Sequence, residues 1–472
     1  MNRILYTICC LSSLISHAQG IKDRLSMAIE NLQGDAQFKH AIMSMYVVES
    51  KTGKVVFSKN EETGLAPASC QKVITSATAF ELLGNEFRYV TYIGKDPTAQ
   101  KDYDAGALFL IGRGDPTLGS RRWESTADTN VFSKILQILK DRRITRFSDG
   151  MYIDDLFYGL QPLPEGWIWQ DIGNYYGAGC FGFNWKENQF DLVLQPGKKE
   201  GYPTMVKEIK PLLPGTMISN FIMTGKEGSG DNGYIYSSPF SNTIITKGTI
   251  PLQARPFSIS GSMPNPADVF KAQLLTYLEK NGIIIKGKSY SAAACILLKN
   301  SFRKATQYLD SIPSPPLDSI NYWFLKKSVN LFGEALLKSI AIKYNPYGTT
   351  DIYEAAITRV KDFWASKGIE PSAINIIDGS GLSPANRVTT HALVSVLQYA
   401  RLQKWFPSFY YALPEINGIK MKDGYINGVR SYTGFIKTND GQEYTFSFIV
   451  NNFDGSAAAS REKIWKIIDI LK

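Results

Sequence analysis

Two short runs near the start of the chain, MSMYVVES (43–50) and KVVFSKN (54–60), mix β-branched and aromatic residues with polar ones over the length of a strand. Lys51-Thr52-Gly53 between them supplies a tight turn, so the pattern predicts a hairpin. The run SCQKVITSATAFELLG then switches to helical spacing. Val73, Ala77 and Phe80 fall on one face, and Gly84 is placed to end the helix. From about residue 89 to 301 the texture changes to short strand-like pieces rich in glycine, proline and tryptophan, with one clear helix in NPADVFKAQLLTYLEKNG. Helices return in NLFGEALLKSIAIKY, IYEAAITRVKDFWASKG and THALVSVLQYARLQ. The chain closes on strand, turn and strand (GVRSYTGFIKT, NDG, QEYTFSFIVNNF) and a last helix, SREKIWKIIDILK. In that helix Ile464, Trp465, Ile468 and Leu471 share a face, which suits packing on a sheet better than lying on a membrane. This order predicts one α+β domain, built from residues 19–88 and 302–472 and interrupted at 89–301 by a mostly β insertion forming one or two extra domains.

Composition narrows the setting. The 472 residues are 44% hydrophobic and 20% charged, an ordinary globular balance. Residues 1–18 carry the marks of a cleaved export signal: Asn2-Arg3, the apolar ILYTICCLSSLI, and the small-x-small site Ser16-His17-Ala18. A periplasmic or otherwise exported protein is therefore expected. No later run reaches the roughly 20 apolar residues that span a bilayer, so the mature chain should hold no integral membrane segment. Cys9 and Cys10 leave with the signal, and the odd trio Cys70, Cys180 and Cys295 reads as three buried thiols rather than a disulfide framework. The formal charge of +9, of which the signal holds only Arg3, is mild for this length. It suits a polyanionic wall or membrane surface, but without a block of like charges no nucleic-acid partner is expected.

The candidate chemistry starts at Ser69-x-x-Lys72. A serine hydroxyl attacks well only when a base takes its proton, and a lysine three residues on, on the same helical face, is such a base if its own charge is suppressed. The free N–H groups of a helix start also favour negative charge beside the hydroxyl. Ser301-x-x-Lys304 and Ser460-x-x-Lys463 share the spacing but lie among charged residues, where solvated side chains are expected. Ser69 instead follows Pro67 and opens an apolar helix. Beyond the signal, His40 and His391 are the histidines, and neither lies in a Gly-x-Ser-x-Gly elbow or a His-Glu-x-x-His helix. Serine–histidine catalysis and zinc hydrolysis lose support, and no metal or cofactor is expected.

Ser328-Val329-Asn330 offers a second set: a hydroxyl that could relay a proton to a leaving group, and an amide that could hold the lysine and an acyl chain. Ser58-Lys59-Asn60 has the same spacing at a strand end and reads as a turn. The third expected part is a strand bearing Lys-Thr-Gly or Lys-Ser-Gly to bind a carboxylate, completing the set used by β-lactamases and penicillin-binding proteins. The literal Lys51-Thr52-Gly53 precedes the serine and makes a hairpin turn, and Lys437-Thr438-Asn439 falls where a turn is due. What remains is Lys422-Asp423-Gly424, at the start of the right strand, with aspartate in place of the hydroxyl.

PASCQK, IGRGDPTL, GWIWQDIGNYYGAG, SMPNPADVF, SVNLFGEALL, DGSGLSPANRV and YTFSFIVNNF follow one another in the order of a known family. From about Ile21 onward the chain resembles the class C low-molecular-mass penicillin-binding proteins, the D-Ala-D-Ala carboxypeptidase/endopeptidase group of the penicillin-binding protein 4 type. The resemblance implies a β-lactamase/transpeptidase-like domain, an antiparallel sheet between helices, acting on peptidoglycan stem peptides, with β-lactams as acylating inhibitors. It implies that Ser69 is the acylated nucleophile, Lys72 its base and Ser328 a proton relay, while Asn330 binds the substrate amide. Lys422 would face the terminal carboxylate, with Asp423 and Gly424 beside the substrate, and the backbone N–H groups of Ser69 and Tyr425 would form an oxyanion hole. Asp115-Pro116 matches a family signature and reads as a structural turn. A β-lactamase would share the first two sets but lacks a deacylating carboxylate here. A wall-peptide-binding pseudoenzyme is the other rival, because Asp423 breaks the third set.

Overall fold

A computed structural model describes residues 20–96, 103–345 and 351–472. The expected export signal lies outside them. The chain forms two compact units, the first comprising residues up to Gly84 with Asn321–Val329 and Tyr353–Lys472, the second Asn85–Ile320 with Asn330–Ile352. The breaks thus fall at 84/85, 320/321, 329/330 and 352/353, where the sequence suggests 88/89 and 301/302. The helix Asn330–Tyr344 groups with the second unit because its buried face is tied there. Lys338 donates to the carbonyls of Gln161 (2.6 Å) and Cys180 (2.8 Å), and burial pushes its ammonium down to about 8.

The first unit is built on a six-stranded antiparallel sheet with the order 415–416, 419–426, 429–437, 443–451, 42–49, 55–59. The expected hairpin joins Ile42–Glu49 to Val55–Lys59 with Val47 opposite Phe57, and Gly53 turns the chain at φ +74°. Strand alternation divides the sheet chemically. Met43, Met45, Val47, Phe446, Phe448 and Val450 form one face, against which the 20–34 helix and Ala457–Ile468 pack through Leu25, Ile29, Ile464 and Ile468. The expected stripe on the last helix is therefore a packing face. The opposite face carries Ser44, Ser431, Thr433, Thr445 and Ser447, all at 0% exposure. Small hydroxyl side chains leave room there for the turn Ala68–Gln71 and the helix Thr390–Ala400, against which Lys72–Leu82 packs in turn, and Ser44 bonds Thr390 across the interface (2.7 Å). The sheet thus lies between helices, as the resemblance implies.

The second unit combines β-sheets with the helices Asp128–Asp141, Pro266–Lys280 and Asn330–Tyr344. A five-stranded sheet (290–291, 151–154, 108–111, 90–95, 307–313) accompanies two three-stranded ones, 257–262/189–195/205–210 and 232–236/243–251/217–225. Its core gathers Phe132, Trp185, Phe190 and Phe270 with Ile222, Ile235 and Ile244. The one helix read from sequence in this stretch spans Pro266–Lys280, with Asn265 capping its first turn. A cavity of about 550 Å³ lined by Ser120, Lys186, Glu187, Gln189 and Gln273 lies in this unit and holds none of the expected site residues. Among the described residues no helix is long and apolar enough to cross a membrane.

Candidate active site

The expected helix at Ser69 begins differently from its sequence pattern. Ala68–Gln71 form a 3₁₀ turn, and the α-helix starts at Lys72. In a 3₁₀ turn the side chains at i and i+3 eclipse, which draws Lys72 directly over Ser69. Its Nζ donates to Ser69 Oγ at 2.8 Å and to the carbonyl of Ser380 at 2.7 Å. Lys72 is fully buried, with the Phe324 ring 5.9 Å from its Nζ, while Ser69 stays half-buried.

The segment into the nucleophile is pinned at successive residues. Leu65 pairs with Val388, Asn451 bonds both the N–H and the carbonyl of Ala66, and Ser431 donates to the carbonyl of Pro67. Ala68 is held at φ +44°, a left-handed conformation costly for a residue with a Cβ. Such strain persists where the surroundings over-determine the backbone, and here it presents Ser69 to solvent.

A loop with no assigned role in the sequence reading supports the base. Asp378, at 0% exposure, accepts from the N–H groups of Gly381 and Ser383 (both 2.7 Å) and from the amides of Gln71 and Asn386 (both 3.0 Å). Thr75 donates to the carbonyl of Gly379 at 2.7 Å. Gly381 sits at φ +80°, where a Cβ would fall 1.9 Å from the carbonyl oxygen of Ala68. These contacts aim the Ser380 carbonyl at Lys72. The quoted stretch DGSGLSPANRV was the available signal.

The third set lies on the strand Ile419–Ile426. Beyond Lys420 no strand pairs with its outer edge among the described residues, while the inner edge pairs Lys422 with Thr433, Asp423 with Tyr432 and Gly424 with Ser431. A Cβ on Gly424 would fall 2.3 Å from Ser431 Oγ and 2.8 Å from the backbone nitrogen of Ser69, so glycine is what lets this strand touch the nucleophile turn. Lys422 is 1% exposed, and its Nζ donates to both the carbonyl (2.6 Å) and the carboxylate (3.0 Å) of Asp423. Burial pushes the Asp423 carboxyl up, but the Lys422 ammonium, by charge and by hydrogen bond, outweighs it and holds the group below its ordinary range. Tyr425, half-exposed, lies under the Arg430 guanidinium, 4.3 Å from its ring.

Ser328 stands at φ +56°, just before the helix that Asn330 opens. Asn330 belongs to the second unit and donates to the carbonyl of Tyr176 at 2.8 Å. Ser69, Lys72, Lys422, Asp423 and Gly424 thus gather within the first unit. Cys70 donates to the carbonyl of Lys422, and burial pushes its thiol up to about 12, the state of an inert thiol. Cys70, Cys180 and Cys295 are all free and buried, as read from sequence. Asp115 accepts from Thr117 N–H (2.8 Å) and Oγ1 (2.7 Å), a turn; burial pushes its carboxyl up to about 6 against those bonds. Among the described residues no group of three or more His, Cys, Asp or Glu side chains converges as a metal site would require.

A model of the D-Ala-D-Ala carboxypeptidase 3 (S13) family matches residues 25–420 and 415–471. A D-alanyl-D-alanine carboxypeptidase of Actinomadura sp. (strain R39) is 25% identical over 479 residues, covering 96% of this chain and 85% of that protein. The crystal structure of penicillin binding protein 4 (dacB) from Haemophilus influenzae superposes with a TM-score of 0.73 at 21% identity, covering 88% of this chain and 91% of that one. The same protein complexed with a β-lactam gives 0.68 at 20% identity and the same coverage.

Proposed function

The chain belongs to the D-Ala-D-Ala carboxypeptidase 3 (S13) family, and from that premise we propose that it is an exported, penicillin-binding serine D,D-peptidase acting through acyl-Ser69. Lys72 takes the Ser69 proton as Oγ attacks the carbonyl of the penultimate D-alanine. The backbone N–H groups of Ser69 and Tyr425 receive the developing oxyanion. Ser328 passes the proton to the departing amine, and water then frees the acyl group. Asn330 holds the substrate amide. The outer edge beyond Lys420 takes the peptide as an added strand, which sets its scissile carbonyl beside Ser69. The export step rests on residues 1–18.

The contact that carries this reading is Lys72 Nζ to Ser69 Oγ at 2.8 Å, held by the Ser380 carbonyl. A structural serine at a helix start has no need of a fully buried lysine as partner. Fluorescent penicillin provides the test. Ser69→Ala should abolish covalent labelling with little change in thermal unfolding, because a small residue suits a turn, and Lys72→Arg should slow acylation by several orders of magnitude because arginine does not give up its proton. Undiminished labelling of Ser69→Ala would overturn the assignment.

The Lys422–Asp423 pair supports a refinement. Its carboxylate stands beside the lysine expected to greet a terminal carboxylate, so we infer weak turnover of peptides ending in a free carboxylate and a lean toward internal cross-links.

A further inference from the structure

In the second unit, the sheet made by Asn232–Tyr236, Thr243–Pro251 and Met217–Gly225 has an unusual outer face. Its inner face is ordinary: Ile222, Ile235 and Ile244 are all at 0% exposure in the core. Register then fixes what stands outside. Tyr234, Lys247 and Phe221 form one cross-strand row, and Tyr236, Ile245 and Ser219 the next. Phe221 is 63% exposed and Ile245 45%. A solvated sheet face is normally polar, and a contiguous apolar one marks a binding surface.

The face is continuous with Asn330. The Trp169 ring, 55% exposed, lies 6.0 Å from that of Tyr236. Its segment is fixed to the sheet, since Ile235 N–H donates to Asn174 (3.1 Å) and Gly173 packs so closely that a Cβ would fall 2.0 Å from the Ile235 carbonyl oxygen. The same segment continues to Tyr175 and Tyr176, whose rings are 5.3 Å apart, and the Tyr176 carbonyl accepts from Asn330. An aromatic surface therefore leads away from the amide that the proposed mechanism places on the substrate.

We propose that this face, from Tyr176 past Trp169 and Tyr236 to Phe221, binds the amino-sugar strand to which the stem peptide is attached, an inference that rests on Asn330 being a substrate contact. Exposed aromatic rings offer flat apolar surfaces to the C–H faces of pyranose rings, and Ser219, Thr243 and Asn232 on the same face supply hydroxyl and amide partners for sugar hydroxyls. An anionic bilayer calls for a cluster of basic residues. Across these two rows Lys247 is the sole charged residue, which favours an uncharged polymer.

The test uses full-length Ser69→Ala protein, which cannot turn substrate over, sedimented with purified peptidoglycan sacculi. Adding Phe221→Ser with Ile245→Ser, or Trp169→Ala, should weaken retention by roughly tenfold to a hundredfold, the loss expected for one or two buried apolar anchors, while Phe221→Tyr should retain binding. Peptide-free glycan chains should compete, and free stem peptides should not. Retention unchanged in the Ser and Ala variants, or competition by stem peptides alone, would overturn the proposal. So would variants that lose only binding to phosphatidylglycerol vesicles or only self-association in sedimentation velocity. Penicillin labelling of the Ser69-containing parent, run in parallel, reports on the catalytic reading independently of sacculus binding.

Discussion

Lys51-Thr52-Gly53 closes the hairpin of the first unit with all three residues exposed, whereas Lys422-Asp423-Gly424 lies inside a strand of the same sheet with its lysine buried. The first triplet has the composition that carboxylate binding calls for; the second has the location. Their glycines differ in kind. Gly53 needs a positive φ of +74° and would meet nothing within 4 Å if it carried a Cβ. Gly424 needs space, because Ser431 and the Ser69 backbone press against it. What makes such a triplet chemical is its contact with the nucleophile turn, and a hairpin loop has none.

The widest separation between the two should come from their lysines. Lys422→Ala should slow penicillin acylation by about a hundredfold to a thousandfold, as loss of a preorganised charge in a site does. Lys51→Ala should leave the rate within about twofold. Equal effects in stopped-flow labelling would erase the comparison.

The glycines come next. Gly424→Ala forces a methyl against backbone, which should cost about 1–3 kcal/mol of stability and slow acylation roughly tenfold to a hundredfold as the strand shifts off Ser69. Gly53→Ala should cost about 1 kcal/mol through its left-handed φ and leave acylation alone. Thermal unfolding and labelling rates measured on both variants separate strain from misplacement. A neutral Gly424→Ala would show that the strand does not need to touch the turn.

The central residues should differ less. Asp423→Thr restores a hydroxyl and removes a charge that repels an incoming carboxylate, by about 1 kcal/mol at 4 Å in water, so acylation should rise roughly fivefold to tenfold. Thr52→Asp in the hairpin should change nothing. Equal rates for wild type and Asp423→Thr would mean that Asp423 does not face the substrate carboxylate.

The smallest effect is one of pH. Since Lys422 holds the Asp423 carboxyl below its ordinary 3.8, the carboxylate is ionised throughout pH 5–8, and the ratio of the two acylation rates should stay flat there. A carboxyl with a lowered folded-state pKa stabilises the fold above its unfolded pKa and loses that contribution as pH falls through the folded one. Wild type should therefore lose stability relative to Asp423→Thr on acidification below about pH 4. With the side chain 41% exposed, solvent screening keeps the loss under about 1 kcal/mol. Melting temperatures of both proteins at pH 3 and pH 7 decide it, and a rate ratio that changed between pH 5 and 8 would place the titration elsewhere.

Much of this was legible in the chain. The NLFGEALLKSIAIKY periodicity coincides with the helix Asn330–Tyr344, and the closing strands and helix fall where their patterns put them. Ser69 and Lys72 could be paired because three residues of covalent spacing limit how far apart they can be. The Asp378 loop was legible only as a glycine-containing stretch: its bonds run from its own backbone N–H groups and from Gln71, Lys72 and Thr75, about 300 positions away in the chain, so residue identity does not announce them.

The local periods of 2 and 3.6, the turn residues and the short Ser-to-Lys spacing belong to the sequence itself, because each is set within a few covalent bonds. Tertiary structure decided the rest: which Lys-x-Gly triplet reaches the nucleophile, that Ser380 holds the base from 308 positions away, that Lys422 is already occupied by Asp423, and that an aromatic face leads away from Asn330. Those pairings follow from strand register and from the helix Thr390–Ala400 and the turn Ala68–Gln71 seated on a sheet face rich in small hydroxyl side chains. Such geometry depends on the whole core closing at once, and no local pattern encodes it.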